Sequence, residues 1–593
     1  MNSKGEMNLK AECSCFPASD YAADPYRDLV ASCSDKKIEV IMCLGQPTEK
    51  GKGRVGRSPY PGFGYEVKHE NGLYIEKDVS ILTRGGYKIY ADIYRPDNEQ
   101  REENFPVILL WGPYGKHDLP QRLIPEDGID PTWISQYANF ECPDPAYWCK
   151  HGYAIVSVDS TGFWSSEGDF TFMTRQEAED CCDVIEWLGT RNWCNGKVGM
   201  AGISYYAMIQ WRVASLRPKH LAAINPWEGL LDIYRESFYH GGIPESFFVE
   251  RWGKMNNFSN NRLEDQYANA RAHPLIDCYY AAKQPDVAQI EVPAYIVASW
   301  SDQGLHTRGT LEAFKRIGSR QKWLEVHGRK KWSYFYQPDE VEKQRQFFDH
   351  FLKGTDDTVL GWPKVSIEVR EKYYVGEVRA EDEWPISRTK YEKLFLDAST
   401  DILTTFHPDR ENAVRYNSED TKQNAHFDYL FPETTEITGH MKLRLWVSTS
   451  DADDMDIFVA IQKVDQNGNL VPFAFFSLYE DGPVALGWLR VSHRELDERL
   501  STPYQPVHLH RRELKLTPDV PVPIDIEIWP SGTKFKKGER LRVLISGKDI
   551  YTDYPPMLPR TTHADLNRGM HVIHTGGKYD SHLLVPVIPP KKA

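Results

Sequence analysis

Hydrophobic patterning along the chain has two textures, which change over near residue 355. In the first, continuous apolar runs at 106–111 (Pro-Val-Ile-Leu-Leu-Trp) and 153–158 (Tyr-Ala-Ile-Val-Ser-Val) suit strands buried on both faces. Further short apolar runs at 198–201, 221–224, 294–298 and 323–326 predict more strands. Between them, 175–188 is helical, because Ala178, Cys181, Cys182, Ile185 and Leu188 fall on one stripe. Strands alternating with helices predict an α/β fold with a doubly wound parallel sheet. Upstream, 78–83 and 87–94 alternate around Gly85-Gly86, a hairpin signal. In the second texture, short alternating strands such as 441–447 and 524–529 dominate and helical periodicity nearly vanishes.

This pattern predicts four parts. Residues 1–60, polar and Gly/Pro-punctuated, form an N-terminal arm over a domain or a partner subunit, an arrangement compatible with a homodimer. Residues 61–229 and 292–356 form the α/β core. Residues 230–291 interrupt its rhythm as an inserted helical cap over the C-terminal edge of the sheet, where open α/β sheets place ligands. Residues 357–593 form a C-terminal all-β sandwich, expected to be a jelly roll.

Composition narrows the function classes. The 593 residues carry a net charge of −14, which excludes a basic nucleic-acid footprint. No apolar run is long enough for a membrane span, and the first residues lack the apolar core of a signal peptide, so the chain reads as cytoplasmic. All ten cysteines lie at or before Cys278, a one-sided distribution that argues against a disulfide framework. Cys13-x-Cys15 and Cys181-Cys182 lack partner pairs at zinc-like spacing and read as buried free thiols. His508-Leu509-His510 has no evident third ligand, so neither a metal nor an organic cofactor is expected.

The chemistry concentrates at Gly202-Ile203-Ser204-Tyr205. A short apolar run ends in Gly-x-Ser and a helical segment starts at once behind it, which is how an α/β-hydrolase exposes a nucleophilic serine. The usual second glycine is replaced by Tyr206. Such a serine needs a histidine to take its proton and a carboxylate to fix the histidine's tautomer. Asp302 and His327 each close a strand-like run, in the expected order of serine, acid, histidine. His306 is the rival base, set aside because it lies on the acid's own loop. The backbone N–H of Tyr205 and the hydroxyl of Tyr114, in Trp111-Gly112-Pro113-Tyr114-Gly115-Lys116, are the expected oxyanion donors.

Together with Asp159-Ser160-Thr161-Gly162-Phe163-Trp164-Ser165-Ser166-Glu167-Gly168, Trp193–Met200 and Phe347–Gly354, these segments resemble the cocaine esterase/X-Pro dipeptidyl-peptidase (CocE/NonD) family of serine hydrolases from about residue 75 to 590. The resemblance implies an α/β-hydrolase core, a helical cap and a C-terminal jelly roll packed on both. It implies a triad of Ser204, Asp302 and His327, with Tyr114 and Tyr205 at the oxyanion. Three positions depart from the family pattern. Tyr206 stands where glycine is common, Thr161 replaces the arginine of Asp-x-Arg-Gly, and no Gly-Pro-Trp-x-His segment occurs. In the simplest register the usual histidine falls near Lys331.

The expected function is a serine hydrolase that cleaves a carboxylic ester or amide of a bulky small molecule through an acyl-enzyme. The alternative within this class is an Xaa-Pro dipeptidyl aminopeptidase. It would need acidic groups for a free α-amine; Glu228, Glu236 and Glu245 are the candidates, against a reading of them as solvated surface glutamates. An acyltransferase, or a non-hydrolytic cyclase or binder on the same scaffold, completes the set.

Overall fold

A computed structural model describes residues 3–7, 24–33, 36–51, 60–97, 104–117, 124, 127–552, 554 and 560–591. Cys13, Cys15 and the glycine-rich stretch 52–56 lie outside the described residues. The core is a sheet built from β1 (Leu73–Leu82), β2 (Lys88–Pro96), β3 (Phe105–Gly112), β4 (Ala154–Asp159), β5 (Cys194–Ile203), β6 (Leu221–Trp227), β7 (Ala294–Ser299), β8 (Lys322–His327) and β9 (Val365–Lys372). Their spatial order is β1-β2-β4-β3-β5-β6-β7-β8-β9; β1/β2 and β2/β4 are antiparallel, and the remaining pairs are parallel. Every residue of β3, β4 and β7 is buried, so these strands read as unbroken apolar runs. Helix α1 (Arg175–Gly189) buries the predicted stripe of Ala178, Cys181, Cys182, Ile185 and Leu188. Helix α2 (Tyr205–Ser215) follows β5 after one residue and is buried on nearly every side.

Because β3 to β8 run parallel, their C-terminal ends share one edge, and the segment after β6 closes over it. That segment holds a π-helical turn at Tyr234–Phe238, helix α3 (Phe248–Met255), a strand at Arg262–Glu264 and short helices at Gln266–Ala272 and Cys278–Ala281. The N-terminal arm packs on this cap: the strand Ile38–Leu44 pairs with Arg262–Glu264, and Tyr26 Oη donates to Asp232 Oδ1 at 2.8 Å. The arm is also bonded to the cap, since Cys33 and Cys278 form a disulfide with 5.6 Å between their Cα atoms. The one-sided cysteine distribution argued against a disulfide framework, and this single bond is the exception among the described residues. The partners are 245 positions apart, so no local spacing announces them. Cys181 and Cys182 are buried free thiols.

Beyond β9 the chain is strand-rich and mainly antiparallel. Thr435–Thr449 pairs with Val522–Phe535, Met570–Thr575 and His582–Val587, while Asp456–Val464 lies between Ala485–Arg490 and Arg540–Ser546. These strands have an apolar core of their own, including Leu443, Ile457, Ile526 and Val543. They are joined firmly to the first half. β9 extends the core sheet and meets Thr533 through Arg370. Trp300 Nε1 donates to the Glu368 carbonyl at 2.8 Å, and Phe476 N–H to the Ser301 carbonyl at 2.7 Å.

Helix α4 (Thr307–Arg316) carries the strongest electrostatic tie. The buried Arg308 guanidinium donates to Glu236 of the cap at 2.8 Å and to Glu527 of the C-terminal strands at 3.0 Å. Removing one partner of a buried ion pair leaves uncompensated charge and costs about 3–5 kcal/mol. Arg308→Met is therefore expected to lower the thermal unfolding midpoint markedly, and differential scanning calorimetry against wild type checks this.

Candidate active site

Ser204 is the single residue between β5 and α2, at φ 58° and ψ −113°. A non-glycine residue with positive φ persists only where its surroundings hold it. Here Ser204 N–H donates to the Trp227 carbonyl at 3.0 Å and Ile203 N–H to the Glu141 carbonyl at 3.2 Å. On the helical side, Ala207 and Met208 N–H both donate to the Ser204 carbonyl. Gly202, at φ 124°, admits the tight turn: a Cβ there would lie 2.6 Å from Tyr206 Cβ. The tyrosine in place of the motif's second glycine turns away from the cleft, its ring against Gly112 and Tyr114.

Ser204 Oγ lies 3.1 Å from Nε2 of His306, and His306 Nδ1 makes a short hydrogen bond with Asp302 Oδ2. A carboxylate so close to a ring nitrogen requires the proton to sit on Nδ1, which leaves Nε2 as the acceptor facing the serine hydroxyl. The expected Ser204–His327 pair is not formed. His327 ends β8, where its Nδ1 accepts Arg329 N–H at 3.1 Å and its Nε2 lies 3.1 Å from Glu228 Oε1. The reason is topological: β8 is one strand farther from β5 than β7 is, whereas the chain after β7 turns back over the edge. That turn, in which Leu305 and His306 N–H donate to the Asp302 carbonyl, brings the ring four residues after the acid onto the serine.

Lys331 completes the cluster. It is the first residue of helix α5 (Lys331–Tyr336), and its Nζ donates to Asp302 Oδ2 at 3.1 Å and lies 3.2 Å from His306 Nδ1. Burial alone would raise the Asp302 carboxyl, but Lys331 and His306 pull it well below the ordinary range. Burial and then the Lys331 charge lower His306 to about 4, against the opposing pull of Asp302. Burial raises Glu141 to about 7, and burial with the Asp302 charge raises Glu228 further.

The expected oxyanion donors border the same space. Tyr205 heads α2, so its N–H has no intrahelical partner. Its side chain turns away, donating to the buried Glu177, and its ring stacks on Trp252. Tyr114 Oη accepts from Trp252 Nε1 at 3.2 Å and faces the cleft with Ser204. That cleft, about 670 Å³, is walled by Phe140, Trp252, Leu305, Trp332 and Phe476. A second lobe, sharing Tyr114, Ser204 and His306 with the first, is walled by Phe172, Met208 and Leu230.

Sequence reasoning missed several of these groups. Glu141 lines the cleft; its Oε1 accepts from Trp332 Nε1 at 2.9 Å, and its Oε2 has no hydrogen-bond partner among the described residues. Phe476 arrives from the C-terminal half, held in a positive-φ turn at 46°. Neither carries a local motif. Glu228, Glu236 and Glu245 are buried, not solvated, and none lines either lobe. Glu236 pairs with Arg308, and Glu245 accepts the N–H groups of Phe247, Phe248 and Val249. His508 and His510 are spent on the Asp525 carbonyl and on His493.

Comparison with known proteins places the chain in a hydrolase family. Residues 85–330 match the X-Pro dipeptidyl-peptidase (S15 family) model, and residues 360–584 match the X-Pro dipeptidyl-peptidase C-terminal non-catalytic domain. A crystal structure of a CocE/NonD family hydrolase from Staphylococcus aureus superposes with a TM-score of 0.84 at 42% identity, covering 87% of this chain and 94% of that one. The cocaine esterase of Rhodococcus sp. (strain MB1 Bresler) is 23% identical, over 87% of this chain and 98% of its own. An aminopeptidase from a marine sediment Thaumarchaeota archaeon shares the fold, with a TM-score of 0.65 at 16% identity, over 89% of this chain and 97% of that one.

The elbow makes a direct prediction. Gly202→Ala forces a Cβ into Tyr206 at a positive φ, a strain of about 1–3 kcal/mol. Relief of that strain moves Ser204 off His306, so kcat for an ester substrate is expected to fall by at least about tenfold while the far-ultraviolet circular dichroism spectrum is unchanged.

Proposed function

The chain belongs to the CocE/NonD family of hydrolases and is a serine hydrolase of ester or amide bonds, and from that premise we propose that Ser204 is its nucleophile, His306 its general base and Asp302 the group that orients the base. The contact between Ser204 Oγ and His306 Nε2 at the strained elbow, open to an apolar cleft, carries this reading. As Oγ bonds to the substrate carbonyl carbon, its proton passes to His306 Nε2. The imidazolium then returns the proton to the departing alkoxide or amine, leaving an acyl-serine. Water, deprotonated by the same nitrogen, attacks the acyl carbon; the imidazolium then returns that proton to Ser204 Oγ as the acyl–oxygen bond breaks, releasing the carboxylic acid and the free serine. Tyr205 N–H and the Tyr114 hydroxyl serve as donors to the oxyanion of both tetrahedral intermediates.

The aromatic walls of the two lobes favour a bulky, partly apolar substrate divided across Ser204. One observation favours the dipeptidyl-aminopeptidase reading: the Glu141 carboxyl faces the cleft with one oxygen unpartnered, which suits a substrate ammonium. We read the C-terminal strands as the jelly roll that closes this cleft through Phe476. A disulfide such as Cys33–Cys278 persists in oxidising compartments, which weighs against the cytoplasmic assignment.

A fluorophosphonate tests the triad without knowledge of the substrate. Intact mass is expected to show one adduct on wild type and none on Ser204→Ala. His306→Ala is expected to slow labelling by about 10²–10⁴-fold, while His327→Gln stays within about tenfold of wild type. Loss of labelling in His327→Gln with retention in His306→Ala would reverse the assignment of the base.

A further inference from the structure

Lys331 stands where the family pattern leads one to expect the histidine, and its surroundings fix it there. The preceding loop is clamped: Gly328 N–H donates to Glu368 Oε2 at 2.9 Å, Arg329 to Glu368 Oε1 at 2.6 Å, and Lys330 Nζ to Glu480 at 2.7 Å. Lys331 itself is 4% exposed, so its charge is screened little by solvent. Its ammonium cannot donate to His306 Nδ1, which already carries the proton shared with Asp302. The 3.2 Å approach therefore sets a cation against an N–H donor, and the lysine's hydrogen bond goes to Asp302.

We propose that Lys331 is a positioning residue that sets the working pH of the site: it anchors the Asp302 carboxylate that orients His306, and its fixed cation keeps the imidazole uncharged, hence able to accept the Ser204 proton, far into acid. This rests on the reading of Ser204, His306 and Asp302 given above. A second positive charge on the ring would lie within a few ångströms of the ammonium, in a buried setting where such repulsion is strong.

The ionised Asp302 opposes that charge at His306, and the other groups nearby do little to cancel it. Asp302 faces it from its own turn and is shared with Lys331. Glu141, from the loop before the helix Pro145–Lys150, and Glu228, after β6, are both raised toward their neutral forms by burial. Ser204 faces it from the elbow. Arg251 of the cap lines the same cleft. Arg308, on the same helix, is turned to Glu236 and Glu527. Burial first, and then the Lys331 charge, favour a neutral imidazole and lower His306 to about 4 against the pull of Asp302. The same cation opposes the imidazolium formed during turnover, so the device trades base strength at neutral pH for a base that works in acid.

The pH dependence of the second-order rate of fluorophosphonate inactivation reads this free-enzyme ionisation on the full chain. Wild type is expected to lose half its rate near pH 4. Lys331→Met is expected to move that limb up by about one to three pH units, and Lys331→Arg, which keeps the charge, to restore it. Lys331→Gln, which keeps a donor to Asp302 without the charge, replaces the Met variant if that variant does not fold. A purely structural lysine would lower the rate in all variants without moving the limb, and that result overturns the proposal. So does a wild-type limb at the ordinary imidazole value of about 6.5, with no variant needed. Absence of wild-type labelling at every pH would strike the triad itself, a failure distinct from an unmoved limb in a protein that labels.

Discussion

One buried negative charge organises the centre of this molecule. Asp302 sits where a lone carboxylate would take up a proton, and it stays ionised because a histidine N–H and a lysine ammonium converge on the same oxygen. Its ionisation determines the tautomer of His306, the tautomer presents Nε2 to Ser204, and the elbow holds Ser204 to receive it. Glu141 and Glu228 also feel that charge, and with it the burial that favours their neutral forms. The site is therefore a distribution of protons over six side chains as much as any one of them.

The sheet was legible because burial on both faces leaves a plain signature in the strands, and Ser204 was legible because a strand–serine–helix junction tolerates few sequences. Asp302 followed from the end of a strand. The choice between His306 and His327 was not legible, since both follow strand ends and the decision lies in the direction the chain takes after β7. A histidine four residues from its acid looks too local to matter until that turn is seen to bend back over the sheet edge. The lysine near the expected histidine position was the available hint that a base, if kept, comes from elsewhere. Phe476 and the Cys33–Cys278 bond were hidden for another reason: each joins segments hundreds of positions apart, and neither leaves a periodicity to read.

The halves of the chain have separate apolar cores but share the work of the site. The C-terminal strands supply one wall of the cleft and, through Glu527, half of the neutralisation of Arg308, at the base of the helix that His306 caps. The N-terminal arm supplies a strand and a covalent bond to the cap that closes the opposite side. The walls of the cleft are thus drawn from core loops, the cap and the C-terminal strands, while the arm braces the cap from outside.

The four-residue spacing of Asp302 and His306 has a consequence for how such a site can change over time. In an arrangement with acid and base on different strand ends, their separation depends on the alignment of two loops, and neither loop can be rebuilt alone. Here a single helical turn sets that separation, so the pair travels as one cassette. On the proposed assignment the loop after β8 does not supply the base, and it carries Lys331 against the pair instead.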